Sequence, residues 1–375
     1  MIAVRAARLF DGQHWQHDKV VLVEQGRIVD VAAAAPLTVA VQKLANDVVL
    51  VPGLIDLQVN GGGGVLFNDD TTVAGLRAIA AAHARVGTTA VLPTLVSGTR
   101  PQQRDAVAAV AAAIGQAVPG ILGLHIEGPF ISTARHGIHP IENVTTLTEA
   151  DLAFLVEPFV GVRLVTLAPE TVAPDHIRRL AAAGVMIFAG HTDASYEQAR
   201  AGLNAGITGF THLFNAMSQF GSRAPGVVGA AFAHDAAYAG IIVDGHHVHP
   251  ASVHVAWSVL GPLRLFLVTD AMPTTASDST EFVLGGKRIR LVDGRLTDAA
   301  GTLAGAHITL AEAVRTAVRL AGIPLDDALR MATATPAAAV GLTDRGRIAP
   351  NYRADLVALD ADLSVVAVWQ EGRRL

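Results

Sequence analysis

Ala106-Val107-Ala108-Ala109-Val110-Ala111-Ala112-Ala113-Ile114-Gly115-Gln116-Ala117-Val118-Pro119-Gly120-Ile121-Leu122-Gly123-Leu124 carries no charged side chain, and the way it is divided decides the fold. Taken whole, it approaches the length of a membrane span, for which about 20 apolar residues suffice. Gln116, Pro119 and the three glycines argue against that reading. Divided at those residues, it is a helix end stopping at Gly115, a Pro119-Gly120 turn, and a buried strand. A helix followed by a short apolar strand is half of a βαβ unit. The expectation is a soluble, cytoplasmic chain built on a parallel sheet.

The same grammar extends in both directions. Short apolar runs lie at Leu54–Leu57, Ala90–Pro93, Ile121–Ile126, Arg163–Leu167, Val185–Ala189, Gly206–Phe210, Gly240–Val243 and Leu263–Thr269. Helical stretches separate them: from Thr71 or Thr72 to Gly87, Pro101 to Gly115, Pro174 to Gly184, Ser195 to Ala205, and Pro250 to Gly261. Each begins with a capping residue or Pro and has Gly at or after its end. Eight such units suit an α/β fold, a closed (β/α)8 TIM-type barrel of roughly 250 residues plus insertions, with an open doubly wound sheet as the alternative. Residues 1–52 differ in style, with strands at Ala3–Ala6, Val20–Glu24 and Gly26–Val31. Near 280–300, two strand-like runs flank Gly285-Gly286, and Asp293-Gly294 is a further turn, which reads as an inserted β-ribbon. A helical pair follows Gly322 and ends near Gly341, before strands Leu356–Leu359 and Val365–Trp369. The expected organisation is a barrel over 53–341 and a small β-sandwich domain made by 1–52 plus 342–375.

Composition narrows the chemistry. Of the 375 residues 51% are hydrophobic and 16% charged, so a large core is available and general disorder is excluded. A net charge of −5 argues against nucleic acid or a membrane surface as partner. Met1-Ile2-Ala3-Val4-Arg5 lacks the basic start and long apolar run of a secretory signal. There is no cysteine, which removes disulfides, thiolate nucleophiles and Cys-type zinc sites. With 15 His present, any metal sits in a His/carboxylate site.

In a parallel barrel, groups at the C-terminal strand ends converge on one mouth. Reading each run to its end yields Gln58 and Asn60, Thr94, Glu127, Glu170, His191, His212, Asp244 with His246 and His247, and Asp270. Glu127, His191 and His212 suit a divalent metal, since one carboxylate and two imidazoles leave a coordination position for water. Each also has a plainer reading as a hydrogen-bonded structural residue. Asp270 alternatively caps the next segment, and the Asp244–His249 cluster is either a second metal site or a solvated loop. Gly61-Gly62-Gly63-Gly64 is not a phosphate loop, because no Gly-Lys-Ser/Thr follows.

Val51-Pro52-Gly53-Leu54-Ile55-Asp56, Asp270 after the eighth run, and Met331-Ala332-Thr333-Ala334-Thr335-Pro336-Ala337 with Ala354-Asp355-Leu356-Val357 resemble the amidohydrolase superfamily. More narrowly, seven segments resemble its deacetylases of N-acetylglucosamine-6-phosphate: Gln58–Gly61, Gly123–Phe130, Ala189–Ala194, Thr211–Met217, Asp244–Val248, Val268–Met272 and Leu303-Ala304-Gly305. The resemblance implies hydrolysis of the acetamide to glucosamine-6-phosphate and acetate. It implies one divalent metal at Glu127, His191 and His212, for which zinc suits the ligands and iron or another divalent ion is compatible. A metal-activated water is the nucleophile, Asp270 the general base and acid, and His139, in Gly137-Ile138-His139, a carbonyl-polarising partner. Substrate contacts fall to Asn215, Ala216, Arg223, His247, Leu303, Ala304 and Gly305. A homodimer is implied, because a phosphate contact in this family can come from the neighbouring subunit. Gln58 and Asn60 stand where many amidohydrolases have His-x-His, which points to one metal rather than two. Ala306 replaces a frequent Ser, and Asn351 a common turn Gly. Two other readings are a cyclic-amide hydrolase or deaminase, indifferent to phosphate, and a silent scaffold, against which the full set Glu127, His191, His212 and Asp270 speaks.

Overall fold

The computed structural model describes residues 1–36 and 38–375. Its centre is eight parallel strands in sequential order: Leu54–Val59, Thr88–Val96, Gly123–Glu127, Val162–Leu167, Met186–Ala189, Gly209–Phe210, Tyr238–Ile242 and Leu265–Val268. First and last strands meet through a parallel bridge between Val59 and Ala271 and through Asn60 N–H to the Ala271 carbonyl at 2.9 Å. The sheet is therefore a closed barrel, and the open doubly wound alternative falls. Buried on both faces, the strands read as continuous apolar runs because each has one side toward the barrel interior and the other toward helices.

Eight helices cover the outside, one after each strand: Val73–Arg85, Arg100–Gly115, Glu149–Leu155, Pro174–Ala182, Tyr196–Ala205, Gly226–Ala233, Pro250–Leu260 and Leu310–Arg319. Their starts follow from local chemistry. Thr72, Thr99 and Ser195 each accept a hydrogen bond from an amide of the first turn, satisfying a donor the helix itself leaves orphaned. Gly226–Ala233 escaped sequence reading because it is apolar almost all round and so has no distinctive face.

Three features differ from the sequence reading. The second strand runs past Pro93 to Val96, so Thr94 lies within it. Pro93 is tolerated because it faces Val59 at a register shift, where Val59 N–H bonds the Thr94 hydroxyl at 3.0 Å instead of a ladder carbonyl. The segment after the eighth strand is a four-stranded antiparallel sheet rather than a two-stranded ribbon: Glu281–Leu284, Lys287–Val292, Arg295–Thr297 and Leu303–Ala306. The small residues of its last strand, Leu-Ala-Gly-Ala, give no strand signal. Residues from both ends of the chain share one eight-stranded sheet, which includes Val41–Lys43 and Val49–Pro52 as well as the expected strands.

Terminal sheet and barrel join where Gly53 N–H bonds the Asp355 carbonyl at 2.8 Å. A Cβ on Gly53 would stand 2.1 Å from the Thr89 hydroxyl, so this junction admits no side chain. Leu284, Ile289, Leu296 and Ala304 of the inserted sheet pack on Ile138 and Met272, two residues that also wall the barrel mouth. Among the described residues no helix is long and apolar enough to cross a membrane.

Candidate active site

The C-terminal strand ends open into a cavity of about 340 Å³. At its base the Glu127 Oε1 lies 3.2 Å from His191 Nε2 and 3.0 Å from His212 Nε2, and the two imidazole nitrogens are 3.1 Å apart. All three residues are buried. His191 Nδ1 is 2.9 Å from the Arg135 carbonyl, which only accepts, so that nitrogen carries a hydrogen. Its other nitrogen, Nε2, faces the carboxylate oxygen and the second imidazole. Three potential ligand atoms converging in this way can hold a cation between them. Their spacing matches the roughly 3.3 Å edge expected of tetrahedral zinc with bonds of about 2.0–2.1 Å. The donor set fits a divalent metal, and the Arg135 carbonyl is the type of outer partner that orients a ligating imidazole. Glu127, His139 and His191 form another grouping, with ligand atoms within 4.8 Å of one another. It is looser, since His139 Nε2 is 4.0 Å from Glu127 Oε2.

Asp270 stands beside this cluster. Its Oδ1 accepts from Asn60 Nδ2 at 2.6 Å and Gln58 Nε2 at 3.1 Å, while the same Gln58 nitrogen donates to Glu127 Oε1 at 3.0 Å. One amide thus bridges two carboxylates with both of its hydrogens. Burial, and then the Glu127 charge, push the Asp270 carboxyl above its ordinary range. Burial also raises Glu127, but bonds and charges from His191 and His212 outweigh it and hold that carboxyl well below the usual value. Burial, then neighbouring His191, depresses His139 well below an ordinary imidazole, so the ring is neutral. His191, His212 and Asp270 all have positive φ, at 47°, 30° and 55°. Non-glycine residues seldom adopt this conformation, and such backbone gathers at functional sites.

The sequence matches the profile of the Amidohydrolase family over residues 49–375. The chain belongs to the amidohydrolase family. It is 46% identical to the N-acetylgalactosamine-6-phosphate deacetylase of Shewanella sp. (strain ANA-3) over 326 residues, 87% of this chain and 83% of that protein. It is 36% identical to the N-acetylglucosamine-6-phosphate deacetylase of Vibrio furnissii over 383 residues, covering 98% and 94% of the two chains. Among solved structures, the N-acetylglucosamine-6-phosphate deacetylase of Pasteurella multocida superposes with a TM-score of 0.96 at 34% identity, covering 100% of this chain and 99% of that one. A mutant of the Mycobacterium smegmatis enzyme in complex with N-acetyl-D-glucosamine-6-phosphate superposes with a TM-score of 0.93 at 33% identity, covering 100% and 98%.

In this amidohydrolase the cavity wall brings together most of the residues singled out from sequence: Glu127, His139, His191, His212, Asn215, Ala216, His247, Asp270, Leu303 and Gly305. Two stand apart. Arg223 is exposed and lies outside the lining, and Ala304 is fully buried in the core of the inserted sheet. Glu170 is also elsewhere, tying down the loop after His191 by accepting from Thr192 Oγ1 and from Asp193 N–H. Asp244 orients His247: its Oδ2 is 2.6 Å from His247 Nδ1, and its Oδ1 accepts the His246 and His247 amides. Burial alone would raise Asp244, but the His247 bond and charge bring it down to about 2. The sequence reading missed Ser97, whose hydroxyl is 2.6 Å from His139 Nδ1, and Arg135, which lines the cavity and whose guanidinium pairs with Asp193 at 2.8 Å. Reading the second strand to Val96 would have exposed Ser97; Arg135 sits in a loop whose pattern carries no signal.

Proposed function

We propose that this amidohydrolase hydrolyses the acetamide of N-acetylglucosamine-6-phosphate to glucosamine-6-phosphate and acetate, using one divalent metal held by Glu127, His191 and His212. The observation that carries the proposal is the meeting of these three lone-pair donors beside Asp270 in one buried cavity. When bound, the metal lowers the pKa of water from about 15.7 toward about 7 and polarises a carbonyl. Zinc suits the donors, and iron or another divalent ion is compatible with them.

The protein's own groups do the rest. Asp270 takes the proton of the attacking water and returns it to the sugar nitrogen as the C–N bond breaks. Both amide bonds to Asp270 fall on Oδ1, which leaves Oδ2 for that proton. The raised proton affinity of this buried carboxyl suits a group that must both accept and give. His139, kept neutral, donates to the carbonyl oxygen as negative charge grows there, a contribution typically worth about 2.7–4 kcal/mol. His247, Asn215 and the Ala216 backbone hold the phosphate, and Leu303 and Gly305, on either side of the buried Ala304, face the sugar. Arg223, exposed on its loop, is assigned to the phosphate across a homodimer, its planar fork suited to two oxygens at once.

A second reading is the galacto epimer as substrate, favoured by the 46% identity to the Shewanella protein against 36% to the Vibrio one. The test is acetate release from both phosphorylated epimers and from plain N-acetylglucosamine, with and without chelator. Turnover of a phosphorylated sugar that chelator abolishes and zinc restores is expected. Equal rates on the plain sugar would point to a phosphate-indifferent amidohydrolase, and chelator-resistant turnover would remove the metal from the proposal.

A further inference from the structure

His139 has a buried partner that no reading of strand ends supplies. Ser97 follows the second barrel strand, is fully buried, and has φ of 24°. Three contacts fix it. Its N–H donates to the Glu127 carbonyl at 2.8 Å, its carbonyl accepts from Asn143 Nδ2 at 2.7 Å, and its Oγ lies 2.6 Å from His139 Nδ1. Ser97 therefore joins the strand carrying Glu127 to the loop carrying His139 and Asn143.

Counting hydrogens decides which way the last bond runs. Nδ1 is the one hydrogen-bond partner of the Ser97 hydroxyl among the described residues. Were Nδ1 to carry the imidazole hydrogen, it would donate to Oγ, and the buried hydroxyl hydrogen would have no acceptor. With the hydroxyl donating, Nδ1 is the acceptor, every hydrogen is placed, and the neutral ring keeps its hydrogen on Nε2. Nε2 is the nitrogen on the Glu127 side of the ring, 4.0 Å from Oε2, and His139 lines the cavity.

We infer that Ser97 is the positioning residue that sets the tautomer of His139, donating to Nδ1 so that Nε2–H is what the ring offers the substrate. The catalytic consequence rests on the proposed role of His139 at the carbonyl oxygen; the tautomer does not.

Two measurements test it on the zinc-loaded, full-length protein. Imidazole 15N–1H correlation spectra, with the His139 signals assigned by their loss in His139→Gln, report which nitrogen is protonated. A protonated Nε2 in the wild type, with hydrogen redistributed toward Nδ1 in Ser97→Ala, is expected. A protonated Nδ1 in the wild type overturns the inference without any variant having to fold. In kinetics, Ser97→Ala should lower kcat and kcat/KM together by about 10- to 100-fold with KM within about threefold, the pattern of an interaction made in the transition state. An unchanged kcat would remove Ser97 from positioning. If His139→Gln itself turned over normally, the carbonyl role would fail while the spectra still decided the tautomer.

Discussion

Two sets of buried polar side chains lie one layer apart in the barrel, and the third strand carries a member of each. Glu127 and His125 are two residues apart on the third strand and so face the same way. In the lower layer, Thr211 Oγ1 is 2.6 Å from Thr166 Oγ1, Thr166 Oγ1 is 2.7 Å from His125 Nε2, and His125 Nδ1 is 3.2 Å from Thr94 Oγ1. Thr94 in turn donates to the Leu92 carbonyl at 3.1 Å. One direction satisfies that chain throughout, with His125 neutral and carrying its hydrogen on Nδ1. Burial pushes the His125 pKa down to about 4, which agrees with a ring that stays uncharged. In the upper layer His191 Nε2 and His212 Nε2 instead converge on one Glu127 oxygen, within 3.2 Å of it and 3.1 Å of each other, and His212 Nδ1 has no partner among the described residues. His125, His191 and His212 are all buried, so burial does not distinguish the histidines of the two layers. What separates a structural histidine from a candidate ligand here is whether its ring nitrogens end on hydroxyls, as in His125, or converge with a second imidazole on one carboxylate oxygen.

The sharpest way to break this contrast is to remove an upper-layer donor. His212→Ala or Glu127→Gln should lose bound metal and lower acetate release by roughly ten-thousandfold, as expected when the nucleophile is no longer activated. Metal content by emission spectroscopy and the rate must fall together; a metal-free variant with normal turnover would end the reading. Asp270→Asn comes next. It should keep its metal and bind substrate within a few-fold while kcat falls by about a thousandfold, within the usual range for a lost general base. Near-normal turnover would reassign the proton transfer.

That contrast was only partly legible in the chain. All eight apolar runs correspond to barrel strands, since a strand buried on both faces needs an uninterrupted apolar stretch, and reading them to their ends reached Glu127, His191, His212 and Asp270. The method failed where a local rule was overridden. The second run, bounded at Pro93, stops three residues short of the strand's end at Val96, so Thr94 stood in for Ser97. Arg135 and Ile138 lie in the long loop after the third strand, where no period marks which side chain turns inward. Ala304, adjacent to two lining residues, points into the inserted sheet because neighbours on a strand face opposite ways. Nor does any spacing tell a surface arginine such as Arg223 from one inside the cavity.

Asp56 supplies the next test, on the seam between first and last strands. It accepts from Gln58 N–H and from the Thr269 amide and hydroxyl, and its side chain is fully buried. Burial raises its pKa to about 7 despite those bonds. The folded protein therefore holds a proton that the unfolded chain releases near pH 3.8. Stability from this group is complete below that pH, falls as pH rises toward 7, and then levels off. At about 1.4 kcal/mol per pH unit, the loss amounts to roughly 4 kcal/mol. Asp56→Asn should flatten this slope, read as urea midpoints at pH 5 and 7.5. Parallel slopes for wild type and variant would show that Asp56 is ionised in the folded state.

The smallest expected effect discriminates most finely, because it asks whether the lower layer is structure alone. Thr166→Val replaces a hydroxyl with a methyl of nearly the same shape. It leaves His125 Nε2 without a donor and the Thr211 hydroxyl without its acceptor. Leaving such buried groups unpaired costs about 1–3 kcal/mol, so the urea midpoint should drop. Thr166 touches none of Glu127, His191, His212 or Asp270 through its hydroxyl, and kcat of the folded variant should stay within about twofold. A large fall in kcat at constant metal content would mean that the hydrogen-bonded chain beneath the cluster holds Glu127 or His212 in place. The two layers would then be one device, different in chemistry but joined in role.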